Sequence, residues 1–206
     1  VRRLFGTGIA LVTAVLLALD PFHIALSRVI HHDALSTTFM TLSALCALIY
    51  WGEQTGRRWL VASGVLAGFG FLSKSPALYL MPFIALVGLW FTVKGGRRKD
   101  EGGKRFHFHP SSFILLILDG LLWFAVAVAT LFIFWPAMWV IPREALETVF
   151  FIGSKYATGG HAKGNYFLGT ISQDPGPLFY PVTWLFRTPP LVLIGVASAL
   201  ITWLLS

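Results

Sequence analysis

The sequence predicts an all-α membrane protein, a polytopic helical bundle with about six spans. Of its 206 residues, 56% are hydrophobic and only 12% are charged, whereas an ordinary soluble domain has about 25% charged residues. Apolar runs long enough to cross a bilayer recur along the chain, and the charged residues collect between them. A water-soluble core of this size cannot absorb so much apolar surface, so the bilayer has to serve as the solvent.

The predicted spans differ in length, and one is short. We place them at 4–19, 34–51, 59–72, 77–93, 113–135 and 191–205. The third has 14 residues, which make about 21 Å of helix against a hydrocarbon core of about 30 Å. This helix therefore either thins the bilayer or continues through Lys74 until Pro76 ends it. No internal repeat is visible, so the inverted repeat of many secondary transporters has no support.

The basic residues predict the orientation of the chain. They form three clusters between the spans: Arg2 with Arg3, Arg57 with Arg58, and 94–105. An excess of Lys and Arg marks cytoplasmic loops, so the N-terminus and the basic loop 94–112 are predicted to be cytoplasmic. The loops 20–33, 73–76 and 136–190 then all open on the external face. The clustering also argues against a nucleic-acid partner, despite a formal net charge of +7.

The loop between the first two spans, DPFHIALSRVIHHD, is the first candidate site. Arg28 and His32 are four residues apart and would share one face of a helix, with Asp33 next to His32. In one interpretation, Asp33 and a histidine orient a sugar hydroxyl or a divalent metal while Arg28 binds a negative group. In the other, Arg28 and Asp33 form an interfacial ion pair. Because an isolated surface pair stabilises little, the functional interpretation is favoured.

Three further charges lie at or below the predicted membrane surface. Lys74 is the only charge between two short spans, where it either binds an anion such as a lipid phosphate or extends its ammonium to the surface. Arg187 precedes the last span and either clamps a phosphate or anchors the chain at the interface. Asp119 is an intramembrane carboxylate, serving either as a proton or substrate group or as polar glue within the bundle.

The loop 136–190 is too long for a simple connection, and long loops often carry function. Its segment 142–157 has the pattern of an amphipathic helix lying on the membrane. Glycines then surround His161, without the spacing of a phosphate-binding Walker loop. His161 together with His31 or His32 would complete a divalent-metal site if the fold brings them together. No other cofactor is indicated.

Several short motifs, in order, resemble one enzyme family. They are RLFG entering a span, SR with an Asp five residues after the Arg, GVLAGFGFLSKSPALYLMPFIAL, and HAKGNYFLG followed by FYPVTWLFRTPP. This order is similar to the dolichyl-phosphate-mannose protein mannosyltransferase family, which includes bacterial lipid A aminoarabinose transferases. The resemblance implies a GT-C fold enzyme of a bacterial or archaeal cell membrane. Such an enzyme moves a sugar from a polyprenyl-phosphate carrier to a lipid, glycan or protein acceptor on the external face.

The resemblance also implies roles for particular residues. Asp33 matches the acidic residue of the family's second external loop, with Arg28 as its companion, and both are predicted to be catalytic. Lys74 and Arg187 match basic positions near the carrier phosphate, and we expect His32 to join them in binding it. The charge of the leaving phosphate would be held by these cations.

The catalytic base of the family is an acidic residue in the first external loop, which would lie before Val1. We therefore expect residues 1–206 to be part of a transmembrane glycosyltransferase domain that lacks the base. Two other classes stay open. One is a transporter or flippase for an anionic lipid-linked substrate, which would use the same basic residues. The other is a non-catalytic membrane fragment.

Overall fold

The structure, a computed structural model, describes residues 1–28, 32–53, 56–95, 110–158 and 164–205. Helices account for most of them. They are α1 (Arg2–Ala18), α2 (Pro21–Arg28), α3 (Asp33–Glu53), α4 (Arg58–Ser73), α5 (Leu80–Gly95), α6 (Pro110–Phe134), α7 (Ala137–Val140), α8 (Pro142–Thr158), α9 (Phe179–Arg187) and α10 (Pro190–Leu205). A 3-10 turn (Ser75–Tyr79) joins α4 to α5, and strands β1 (Asn165–Phe167) and β2 (Thr170–Ser172) follow α8.

The predicted fold class is confirmed, since each of the six predicted spans coincides with a helix. Among the described residues, three helical segments are long and apolar enough to cross a membrane: Asp33–Glu53, Ser75–Lys94 and Phe113–Phe134. The helices α9 and α10 pass the same test together, although a bend of 116° separates them. The helix α4 is apolar but shorter, as the sequence predicts. The chain is therefore an integral membrane protein with several spans.

The helix α4 is the centre of the main bundle, between α3 and α6. On one side, Ser43 of α3 and Ser63 of α4 are fully buried and hydrogen-bonded to each other. Asp33 at the start of α3 contacts Lys74 just after α4. From the first residue of α3 to its middle the residue numbers rise, while those of their partners in α4 and just after it fall. The helices α3 and α4 therefore form an antiparallel hairpin.

The other side of α4 approaches α6 closely because it carries glycines. A Cβ atom added at Gly68 would lie 2.6 Å from Cβ of Thr130 and 2.8 Å from the carbonyl oxygen of Ala127. One added at Gly64 would lie 2.9 Å from the carbonyl oxygen of Trp123. Two small residues four apart allow this backbone approach in membrane helices. These contacts run in the same direction along both helices, so α4 and α6 are parallel.

Three arginines lie together at one end of this bundle. Nε of Arg3 lies 2.7 Å from Oε2 of Glu53, and its guanidinium stands 5.2 Å from the centre of the Trp59 ring. Arg57 and Arg58 lie at the adjoining start of α4. We call these five residues the arginine end. Asp33 and Lys74 lie at the opposite end of the same hairpin.

The chain divides into two compact units. The first comprises Val1–Ala10 and His31–Ala145, which includes the bundle just described. The second comprises Leu11–Ile30 and Leu146–Ser206, with α2, most of α8, the two strands, α9 and α10.

The second unit contains a β-hairpin that the sequence analysis did not predict. Strands β1 and β2 are antiparallel, with Asn165 opposite Ser172. Leu168 and Gly169 form the two-residue turn, with φ of 47° and 89°, which is the backbone that tight hairpins require. The predicted helix at 142–157 is confirmed as α8, while its placement on the membrane surface stays a prediction.

Candidate functional site

Two of the predicted site residues, Asp33 and Lys74, form an ion pair. Asp33 is the first residue of α3, and Lys74 follows directly on α4. Nζ of Lys74 donates a hydrogen bond to Oδ1 of Asp33. The chain leaves the helix at Lys74, whose backbone is extended (φ −163°, ψ 142°), because Pro76 in the following 3-10 turn cannot continue the α-helix.

Both members of this pair are accessible to water and have other stabilising surroundings. The Lys74 side chain is 40% exposed and the Asp33 side chain 45% exposed. Asp33 lies at the N-terminus of α3, where the helix dipole favours an anion, and Lys74 lies at the C-terminus of α4, where it favours a cation. A half-exposed pair of this kind contributes at most about 1 kcal/mol to folding. The fold therefore does not require the two charges to remain paired.

His32 directly precedes Asp33 and contacts α3 through its backbone. Its carbonyl oxygen accepts a hydrogen bond from the backbone N–H of Ser36 at 2.9 Å, so His32 caps the start of α3 immediately before Asp33. Its side chain is exposed. The predicted phosphate-binding residue His32 thus adjoins Asp33, as the sequence indicates.

The other two predicted cations, Arg28 and Arg187, both belong to the second unit. Arg28 ends α2 and Arg187 ends α9, and both are exposed. The guanidinium of Arg187 stands 5.9 Å from the centre of the Phe22 ring of α2, a cation–π contact. Arg187 therefore packs on the helix that carries Arg28. The predicted participation of these arginines in the Asp33 site stays a prediction.

The predicted metal site falls partly outside the described residues, which include neither His161 nor His31. Within the described ranges, no group of three His, Cys, Asp or Glu side chains lies close enough to hold a metal ion. The expectation of a divalent metal at His161 with His31 or His32 therefore stays a prediction.

The intramembrane carboxylate Asp119 lies near the arginine end. It is 8% exposed, and its Oδ2 accepts a hydrogen bond from the hydroxyl of Tyr50 at 2.8 Å. Nε of Arg57 lies 4.0 Å from its Oδ1. These contacts join α6 to α3 and to the start of α4, which favours the interpretation of Asp119 as polar glue. The role of Tyr50 was not predicted, because nothing in the residue pattern shows that α3 presents it to α6.

An apolar cleft of about 320 Å³ lies between α3, α5 and α6. It carries no charged residue; its lining is Trp51, Met81, Ile84, Ala85, Leu116, Ile117, Gly120, Trp123 and Phe124. Such a surface suits hydrocarbon, and it supplies no group for acid–base chemistry.

The described residues thus define a polytopic membrane protein whose helix bundle holds a lysine–carboxylate pair at one end and arginines at the other. The family model for the dolichyl-phosphate-mannose-protein mannosyltransferases matches residues 1–123, which include Arg28, Asp33 and Lys74. The chain belongs to this family, and its class of function is that of a membrane glycosyltransferase. No curated protein and no solved structure matches the chain.

Proposed function

We propose that this protein transfers a sugar from a polyprenyl-phosphate carrier to an acceptor hydroxyl on the external face of the membrane. The site would lie at the Asp33–Lys74 end of the bundle. The observation that carries this proposal is the contact between those two side chains, which unites the acidic and basic residues that the family resemblance assigns to catalysis and to phosphate binding. Its partners would be the lipid bilayer in which it is embedded and the carrier lipid that it binds.

The external location rests on the arginine end. Arg3, Arg57 and Arg58 gather at the end of the hairpin away from Asp33 and Lys74. Arginines at membrane boundaries favour the cytoplasmic side. The Asp33–Lys74 end would accordingly open on the external side, where lipid-linked sugars can be used without a nucleotide sugar.

The proposed reaction needs a cation beside the carrier phosphate. The acceptor oxygen bonds to the anomeric carbon, the bond from that carbon to the phosphate oxygen breaks, and its electron pair stays on the phosphate. Lys74 would hold the charge that develops there, since an ammonium in a partly shielded site stabilises an anionic leaving group. Asp33 would orient a sugar hydroxyl. The acceptor's proton would pass to the carboxylate base that the family resemblance places in another external loop.

Arg28, Arg187 and His32 would support this chemistry as additional donors to the carrier phosphate. Arginine binds phosphate oxygens with two parallel N–H groups, and Arg187 already packs against the helix that ends at Arg28. A ring N–H of His32 would donate one hydrogen bond beside Asp33. We propose Arg187 and His32, together with Lys74, as binding residues and keep Asp33 and Arg28 as the catalytic pair.

Sugar transfer from a radiolabelled polyprenyl-phosphate sugar, measured in membranes that contain the full-length protein, tests the proposal. Asp33→Asn and Lys74→Ala should each reduce the rate at least about tenfold, because removal of one group that stabilises developing charge costs about 100-fold or more in well-organised sites. Glu53→Gln is the matched control, since it removes a carboxylate from an ion pair at the other end of the same helix.

Two outcomes would contradict the proposal in different ways. Transfer undiminished by both substitutions would remove Asp33 and Lys74 from the site while leaving the enzyme class intact. Movement of the labelled carrier across the bilayer, with no sugar transferred to any acceptor, would instead favour the flippase alternative.

A further inference from the structure

We propose that Asp33 competes with the carrier phosphate for Lys74, so that Lys74 passes from Asp33 to the phosphate as the bond between sugar and phosphate breaks. The inference rests on the proposed function and adds a regulatory property to the same site. The donor is a phosphodiester with one negative charge. The spent carrier is a phosphomonoester, with a charge of about −1.5 to −2 at neutral pH.

Lys74 already has an anionic partner in the structure. One of its three N–H donors goes to Oδ1 of Asp33. Any anion that approaches Lys74 must therefore share the ammonium with Asp33 or displace Asp33 from it. The attraction between Lys74 and Asp33 that is lost is the same for every ligand. The attraction between Lys74 and the ligand that replaces it rises with the charge of the ligand.

This comparison favours the spent carrier. A monoanionic diester offers Lys74 roughly the attraction that the Asp33 carboxylate offers, so the exchange is close to balanced. A dianionic monoester offers more and would take Lys74 from Asp33. The phosphate acquires its second charge only as its bond to the anomeric carbon breaks. Cleavage of this bond would therefore drive the exchange of Asp33 for the phosphate as the partner of Lys74. The interaction of Lys74 with the phosphate would thus strengthen in the transition state. Atoms and charges balance, because the acceptor's proton goes to the base.

The local structure allows the exchange. Asp33 keeps the helix dipole of α3 and access to water when Lys74 leaves, because its side chain is 45% exposed. Lys74 stands outside α4 with an extended backbone, and its four-carbon stem lets the ammonium swing without moving a helix. The buried contact between Ser43 and Ser63 holds the hairpin whether or not the two charges are paired.

The competition predicts opposite effects of one substitution on binding and on transfer. Asp33→Asn removes the competitor, so it should tighten binding of a polyprenyl phosphate about two- to fivefold, which is the worth of one exposed ion pair, while it slows sugar transfer. Lys74→Ala should weaken binding of the same lipid. It should also reduce the preference of the wild-type protein for the monoester over its methyl ester, a diester without sugar.

The experiment measures binding of a polyprenyl phosphate and of its methyl ester to the full-length protein in lipid nanodiscs, alongside sugar transfer. Glu53→Gln is the control and should change neither affinity, because its carboxylate pairs with Arg3 at the opposite end of α3. Asp33→Ser serves as a second variant, since serine is well tolerated at the start of a helix and carries no charge.

The outcomes separate this inference from the proposed function. Weaker or unchanged binding of the monoester to both Asp33 variants, with transfer still dependent on Lys74, would overturn the competition and leave the proposed function standing. No binding of either lipid to the wild-type protein, together with no transfer, would overturn the proposed function itself. Tighter monoester binding in the Asp33 variants with slower transfer would establish the competition.

Discussion

Ser43 and Ser63 hydrogen-bond to each other's backbone across the α3–α4 hairpin. Each hydroxyl lies 2.8 Å from the carbonyl oxygen of the other residue. The indole Nε1 of Trp123 on α6 donates to Oγ of Ser63 at 3.0 Å, so three helices meet at this point. The two serines are fully buried. Their contact sets the register of the hairpin, and the register in turn places Asp33 opposite Lys74.

The two serines should contribute unequally to stability. Ser63→Ala leaves the buried indole N–H of Trp123 without its acceptor, and we expect a loss of about 1–3 kcal/mol. Ser43→Ala removes a single donor, which in membrane proteins contributes about 0.6 kcal/mol. Thermal unfolding in one detergent at one scan rate should therefore show a larger drop in midpoint for Ser63→Ala.

Ser198→Ala is the matched control for this pair. Its hydroxyl donates only within α10, to the carbonyl oxygen of Ile194, among the contacts described, and it is exposed. We expect no change in the midpoint beyond experimental error. Equal losses for Ser43→Ala and Ser63→Ala would show that Trp123 does not depend on the Ser63 hydroxyl.

Much of the arrangement of α3 and α4 follows from sequence. Two apolar runs joined by a few residues predict an antiparallel hairpin, and the positions of the arginines predict which charges share an end. That Asp33 and Lys74 lie at the same end was therefore predictable. That they touch was not, because the register depends on how the buried serines fit. One interpretation of the sequence pairs Asp33 with Arg28, and the contact of Asp33 with Lys74 is one that the sequence does not show.

Two other features were not predicted for similar reasons, the contact between Tyr50 and Asp119 and the β-hairpin. The contact between Tyr50 and Asp119 joins residues that are 69 positions apart, and no periodicity shows which faces of α3 and α6 meet in a helix that is apolar all round. The β-hairpin is only three residues long on each side. Strands of this length are too short to show an alternation of apolar and polar residues. The turn needs a positive φ at both Leu168 and Gly169, but only one of the two is a glycine, so the usual sequence signal for such a turn is incomplete.

The glycines of α4 should be intolerant of side chains. Gly68→Ala would place a Cβ 2.6 Å from Cβ of Thr130, which forces α4 and α6 apart and should cost about 1–3 kcal/mol. Gly195→Ala in α10 has nothing within 4 Å, so it should be neutral or stabilising by up to about 1 kcal/mol. A thermal midpoint for Gly68→Ala equal to that of Gly195→Ala would contradict the close packing of α4 on α6.

Asp119 and Asp33 should respond in opposite ways to the same substitution. Asp119→Asn disturbs the buried hydrogen bond with Tyr50 and the charge beside Arg57, so it should lower the thermal midpoint while sugar transfer stays within about twofold. Asp33→Asn alters a half-exposed pair, so it should leave the midpoint nearly unchanged and lower transfer. Loss of transfer in a stably folded Asp119→Asn variant would instead favour its role as a proton or substrate group.

The sidedness of the bundle is open to direct chemical measurement. In a background where Cys46, the one cysteine among residues 1–206, is replaced by Ser, a cysteine is introduced at Gly56, beside the arginine end, or at Ser75, beside Lys74. Both positions are exposed. A thiol reagent that cannot cross membranes, applied to intact cells, should label Ser75→Cys and not Gly56→Cys, because the arginines favour the cytoplasm. Permeabilised cells should give labelling at both positions, which confirms that each thiol is reactive. Labelling of Gly56→Cys alone in intact cells would place Asp33 and Lys74 on the cytoplasmic side, where an external acceptor could not reach them.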